Sequence, residues 1–285
     1  MTRSALFAFA FAACGGVSGD DLGDGMMELP PLLQEVSGVV AVDAQTLACV
    51  QDEKGVIVLV DLTARSKPRA IVFGERGDYE GVARVGDDYW VLRSDGRLLQ
   101  IREQAGEWRI VATVRVSEHR QEWESLCYDA QRGRLLVLPK DGVGKDKDAR
   151  DLRPMLAIDP ANTAVAPEVI ATLSRRAFQK QAETNGINLP KRTTDKGKVH
   201  VELDLACSEL LALPDRRGFL VLSASDGVLL RVDVDGRLLA CRQLDRTLLP
   251  QPEGMAWLAD GRLVIASEGG AGGTGRARLL VVAVP

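Results

Sequence analysis

The chain has 285 residues, 46% of them hydrophobic and 27% charged, which is the composition of a globular protein with material for a full core. A net charge of −4 supplies neither the basic face that nucleic acid requires nor a polybasic segment for a membrane surface. Long helical periodicity is scarce, so an all-β reading is favoured.

Residues 1–14 read as an export signal. Arg3 supplies a positive start, and residues 5–13 (ALFAFAFAA) form a nine-residue apolar core. That is well short of the ~20 residues a bilayer span needs. The run ends in FAACGG, and small residues ahead of Cys14 resemble the lipobox of bacterial lipoproteins, in which the cysteine is lipidated; Phe11 stands where Leu is usual. An ordinary signal peptide with an incidental cysteine is the alternative, and it also exports the chain. The expected location is the bacterial cell envelope, periplasmic or outer-membrane, with a lipid on Cys14 as the sole tie to the membrane. Residues 15–27, rich in Gly and Asp, read as a flexible tether, and residues 28–285 as one domain.

Five segments then share one grammar. They begin at Ser37-Gly38-Val39, Glu80-Gly81-Val82, Glu124-Ser125-Leu126, Glu209-Leu210-Leu211 and Glu253-Gly254-Met255. Each is followed by a short apolar strand, a turn and a second strand (TLACVQD, YWVLRSD, RLLVLPKD, GFLVLSASD, RLVIASE). Gly38 to Gly81 is 43 residues, Gly81 to Ser125 is 44, Leu210 to Gly254 is 44, and Ser125 to Leu210 is 85. A period of ~40–45 residues with four strands per unit predicts a β-propeller. Five blades are favoured and six are the alternative. Residues 174–200 form a polar excursion, helical at its start, and residues 198–205 (KVHVELDL) would be the remnant of a sixth blade in the rival reading. The last repeat supplies only three strands. A strand within residues 26–33 is the candidate for the fourth, although Pro30 and Pro31 limit its pairing.

Cys49, Cys127, Cys207 and Cys241 are widely spaced in apolar runs and form no C-x₂-C pair, so they read as small buried hydrophobes rather than metal ligands or a disulfide framework. The repeated acids are the candidate site. Glu80, Glu124, Glu209 and Glu253 start first strands, and Asp52, Asp95, Asp141, Asp226 and Glu268 end second strands. In a propeller both sets reach the same channel mouth. Hairpin chemistry explains much of the second set, since Asp-Gly and Glu-Gly pairs suit turns. The first set has two readings: carboxylates that cap backbone N–H groups of a neighbouring blade, or a ring of like charges that wants a cation. Arg93 and Lys140, just ahead of their turn acids, neutralise part of such a ring. Ca²⁺ held by Glu80, Glu124 and Glu253 is the metal alternative.

Weaker signals point away from other chemistries. Residues 141–151 (DGVGKDKDARD) lack the order of a calcium loop, and residues 269–275 (GGAGGTG) lack the Lys of a phosphate-binding loop. His119 and His200 have no G-x-S-x-G partner, which argues against a Ser-His-acid hydrolase.

The repeat starts EVSGVVAVD, GDYEGVARVGDDYWVL and EWESLCYD, and above all LPQPEGMAWLADGRLVIASEGG, resemble the SdiA-regulated (YjiK-like) family of exported bacterial propellers over residues 35–285. Glu209-Leu210-Leu211 departs from the family, which tends to Ser-Gly or Ser-Asp there. The resemblance implies a propeller fold, export, and an architecture similar to calcium-binding lactonases and phytase-like esterases. Two functions follow as expectations. One is a monomeric protein that binds a small ligand or an envelope component at its acidic mouth. The other is a Ca²⁺-dependent phosphoesterase or lactonase-like hydrolase using the same carboxylates.

Overall fold

Each repeat closes into a four-stranded antiparallel sheet, and five such sheets form the ring. The computed structural model describes residues 25–282 apart from 64, 119–120, 143–147, 194–196, 198, 202 and 270–274. The segment read as an export signal, Cys14, most of the expected tether and His119 lie outside the described residues, as does the side chain of His200. A short strand β1 (Met26–Glu28) opens the described chain. Blade 1 follows as β2 (Val36–Ala41), β3 (Thr46–Gln51), β4 (Lys54–Asp61) and β5 (Arg69–Arg76), and blade 2 as β6 (Tyr79–Val85), β7 (Asp88–Arg93), β8 (Arg97–Gln104) and β9 (Glu107–Arg115). Blade 3 comprises β10 (Trp123–Asp129), β11 (Arg134–Pro139), β12 (Leu152–Ile158) and β13 (Glu168–Ser174). An excursion then adds helix α1 (Arg175–Asn185) and a hairpin of β14 (Lys191–Thr193) and β15 (Val199–Val201). Blade 4 is β16 (Cys207–Ala212), β17 (Phe219–Ser223), β18 (Val228–Val232) and β19 (Leu238–Gln243); blade 5 is β20 (Gln251–Trp257), β21 (Leu263–Glu268) and β22 (Arg278–Val282).

Blade 5 takes its fourth strand from the N-terminus. β1 pairs antiparallel with β22, Met26 opposite Leu280 and Glu28 opposite Arg278. Pro30 and Pro31 do not obstruct this, because the pairing ends at Glu28 and Pro31 instead begins a 3₁₀ turn that buries Leu33. β15 pairs only with β14, so residues 198–205 belong to no sixth blade.

Burial follows position in the blade. Second strands are covered on both faces and read as continuous apolar runs, as in RLLVLP and FLVLS, whereas the outer strand β9 is largely exposed. The core is five apolar clusters, each filling the gap between adjacent blades. Helix α1 is capped by Ser174, whose hydroxyl accepts from Ala177 N–H, and it buries Phe178 and Ala182 against the cluster between blades 3 and 4. All four described cysteines are buried free thiols, and burial pushes Cys49 and Cys207 up to about 12. Among the described residues no helix is long and apolar enough to cross a membrane.

Candidate functional site

The inner strands β2, β6, β10, β16 and β20 touch one another in a closed ring around the channel. They come so close that a Cβ on Gly81 would lie 2.8 Å from Leu126 Cβ and 3.2 Å from Glu124 O. One irregularity recurs in each. The pairing register slips between Val36 and Gly38, Tyr79 and Gly81, Trp123 and Ser125, Cys207 and Glu209, and Pro252 and Gly254. The bulged residues are therefore Ser37, Glu80, Glu124, Ser208 and Glu253. A bulge re-aims its side chain, and here five of them share one level of the channel.

This alignment corrects one reading of the sequence. Ser208, not Glu209, is the blade 4 counterpart of Glu253, so three glutamates and two serines occupy the bulges. The serines behave alike. Ser37 Oγ donates to Tyr79 O at 2.6 Å and Ser208 Oγ donates to Pro252 O at 3.0 Å, each tying its blade to the next. Glu209 is 1% exposed, and its Oε1 accepts from Leu126 N–H of blade 3 and Leu210 N–H of blade 4. Met255 N–H of blade 5 also faces the carboxyl group. Backbone groups from three inner strands can meet one carboxyl group only on the channel side, so Glu209 faces the channel and ties blades 3, 4 and 5 together. Burial holds it protonated well above the usual carboxyl range.

Glu80, Glu124 and Glu253 belong to the mouth. Burial raises Glu80 to about 9, with the field of Glu124 and a hydrogen bond shared with Asp78 adding to it. Burial raises Glu253 to about 8, reinforced by Glu124 and Glu268 and relieved by Lys140 and the Ser208 hydroxyl. Glu124 lies on blade 3 and Glu253 on blade 5, so their coupling runs across the opening. Lys140 Nζ sits 2.5 Å from Glu124 Oε1, and its charge also reaches Glu80, Glu253 and Glu268.

The acids that follow second strands divide. Glu268 is pushed up to about 7 by burial and by Asp52, Glu35 and Glu124, and Asp52 to about 6 by burial and by Glu35, Glu53 and Asp78. Both belong to the mouth. Asp95 is instead paired with Arg97 at 2.9 Å and Arg93 at 3.4 Å, and Asp141 lies exposed, 3.5 Å from Arg153. Asp226 accepts from the backbone N–H groups of Asp204 and Leu205, both at 2.9 Å, and from Ser223 Oγ, which fixes the chain entering blade 4. Asp95 and Asp226 of these three serve local structure, whereas Asp141 also adds its charge to the field that raises Glu124. Gly96 and Gly227, which follow two of them, have φ of 78° and 63°, as hairpin turns require.

Sequence reasoning missed Glu35 and Asp78. Their signal was a second periodicity: Glu35, Asp78 and Glu122 each precede a bulged residue by two positions. Glu80, Glu124 and Glu253 do not fit a metal as they stand. Among the described residues no three His, Cys, Asp or Glu side chains form a group able to hold an ion, and Glu124 is already bonded to Lys140.

Fold and site together define a five-bladed β-propeller with an acidic mouth. The chain matches no protein-family model and no characterised protein sequence. Solved structures of similar shape include Myxococcus xanthus glutaminyl cyclase, 17% identical, TM-score 0.52, over 90% of this chain and 95% of that one. The PQQ-bound aldose sugar dehydrogenase of Streptomyces coelicolor is 12% identical, TM-score 0.54, over 90% and 98%. A putative glucose dehydrogenase of Thermus thermophilus is 9% identical, TM-score 0.52, over 91% and 99%. Identities this low establish the propeller fold alone.

Proposed function

We propose that the protein is an exported, lipid-anchored propeller of the SdiA-regulated (YjiK-like) type that binds a positively charged ligand or envelope component at its channel mouth. One observation carries the reading: Asp52, Glu80, Glu124, Glu253 and Glu268 are all raised by burial, with Glu124 adding to Glu80, Glu253 and Glu268, Glu268 adding to Glu253 and Asp52 to Glu268, and Lys140 is the cation common to four of them. Mutual repulsion of this kind is relieved by an incoming positive charge.

Titrating the full chain with a panel of cations, Ca²⁺ and organic amines included, tests this by thermal melting. A ligand that binds the native state at a hundredfold excess over its dissociation constant stabilises by about 2.7 kcal/mol. Glu253→Gln and Glu268→Gln should each reduce that gain. If no cation of either kind shifts the melting temperature, cation binding at the mouth is refuted. For the anchor, Cys14→Ser should abolish palmitate labelling, and retained label would exclude it. The Ca²⁺-dependent hydrolase is the second reading. It draws support from the shared acidic mouth and is weakened by carboxylates that do not converge on one point. Stabilisation by Ca²⁺ alone, lost in Glu80→Gln, would favour it.

A further inference from the structure

The five gaps between blades are sealed by different means, and one is left open. Between blades 1 and 2 the outer strands β5 and β9 touch, and Phe73 meets Tyr79 edge-on. Phe178 and Ala182 of α1 fill the gap between blades 3 and 4, and Leu29 and Leu33 fill that between blades 5 and 1. The connection from blade 4 to blade 5, residues 244–250 (LDRTLLP), buries Leu249 in its gap. The connection from blade 2 to blade 3, residues 117–122 (SEHRQE), has no apolar residue to insert.

What remains between blades 2 and 3 is a cleft of about 540 Å³, within the range of small-molecule sites. Its wall on blade 3 is the face of β12 that carries Leu152, Pro154 and Leu156, with Val169 beside Leu156 on β13. Val116 and Trp123, both part of the apolar cluster between these blades, complete it. Leu152 is 41% exposed and Val169 56%, so this wall keeps apolar side chains in water.

Two residues lining the cleft each hold a buried polar atom with no hydrogen-bond partner among the described residues. Trp123, 1% exposed, leaves its indole Nε1 donor unpaired, and Gln121, two positions before it, leaves its Oε1 acceptor unpaired. Neither group titrates, so a change of protonation cannot relieve them, and each costs free energy while unmet. Among the described residues no charged side chain lines the cleft, so an ionised ligand would lose its hydration without gaining a counter-charge. We propose that the cleft between blades 2 and 3 binds an uncharged, apolar small molecule whose polar head both accepts a hydrogen bond from Trp123 and donates one to Gln121, as a carboxamide does. None of the mouth acids lines the cleft, so this inference stands apart from the cation-binding reading.

The test is isothermal titration of the full chain with octanamide, with octanoate, which is charged, and 2-octanone, which accepts but does not donate, as comparisons. Octanamide should bind about tenfold tighter than either. Trp123→Phe removes the donor and should weaken octanamide about tenfold. Because Trp123 is buried and its loss endangers folding, Gln121→Leu, at a half-buried position, serves as the second variant and should bring octanamide down to the affinity of the ketone. Leu152→Asp, at the exposed edge of the wall, should abolish binding without lowering the melting temperature. Octanoate or the ketone binding as tightly as the amide, or octanamide binding unchanged in Gln121→Leu or Leu152→Asp, overturns the proposal, as does the absence of any binding. Sedimentation of the chain as a dimer that Leu152→Asp dissociates would assign the cleft to a second copy and overturn it too.

Discussion

Glu209 and Glu253 carry the same carboxyl group, yet one is held by backbone N–H groups of the inner strands and the other belongs to the mouth. The difference is one position in the repeat. Glu253 is the bulged residue of its strand, whereas Glu209 follows the bulged Ser208 and is aimed at the N–H groups along the channel. The mouth glutamates give a pH dependence whose sign is set by burial. Glu253 and Glu80 have folded values near 8 and 9, above the ordinary 4.5 of the unfolded chain. The unfolded state releases these protons first as pH rises, so the stability these two groups contribute is greatest at acid pH and declines between about 4.5 and 9. One such group weakens the fold by up to ~1.4 kcal/mol per pH unit in that window. Glu253→Gln should therefore melt a few degrees above the native protein at pH 9 and alongside it near pH 4.5. Melting curves that stay parallel across this range would contradict the assignment.

At the scale of single strands, the bulge and the small residue after it act as a unit in every blade but the fourth, where Glu209 takes the small residue's place. The bulge turns a side chain into the channel, and the small residue lets the next blade approach. Gly81→Ala tests the second part. Its new Cβ meets the Glu124 carbonyl and the Leu126 side chain with no flexible end to yield, so a loss of about 1–3 kcal/mol is expected. Denaturant unfolding would measure it, and a change below about 0.5 kcal/mol would show that the inner ring adapts. The repeated glycines were legible as a pattern, but their cause was not, because it lies in a contact between residues more than 40 positions apart.

For the whole molecule the decisive element is the shortest one. β1 supplies the outer strand of the last blade, and the chain just after it buries Leu29 and Leu33 between blades 5 and 1. Removing residues 1–33 strips both leucines, worth about 1.5–3 kcal/mol each, and leaves β22 as a bare edge. The truncated chain should melt at least 10 °C lower and scatter light on heating. A truncated form as stable and monodisperse as the full chain would mean that the ring does not depend on this closure.

The repeat period alone determined the fold. Strands of alternating or continuous apolar residues, recurring at 43 to 44 residues, have few other ways to bury themselves than blade against blade. Composition likewise made the acids conspicuous and the cysteines unremarkable. The mouth itself was decided only in three dimensions. Glu124 and Glu253 are 129 positions apart and meet because the ring closes. Asp226 resembles Glu268 in sequence yet is consumed by the backbone of Asp204 and Leu205. A one-residue register slip, invisible in the spelling of the repeat, separates the carboxyl bound to backbone N–H groups from those at the mouth. A linear pattern records which residues recur; which of them share a solvent-poor volume, and so feel one another's charge, depends on bulges and closure that long-range packing alone sets.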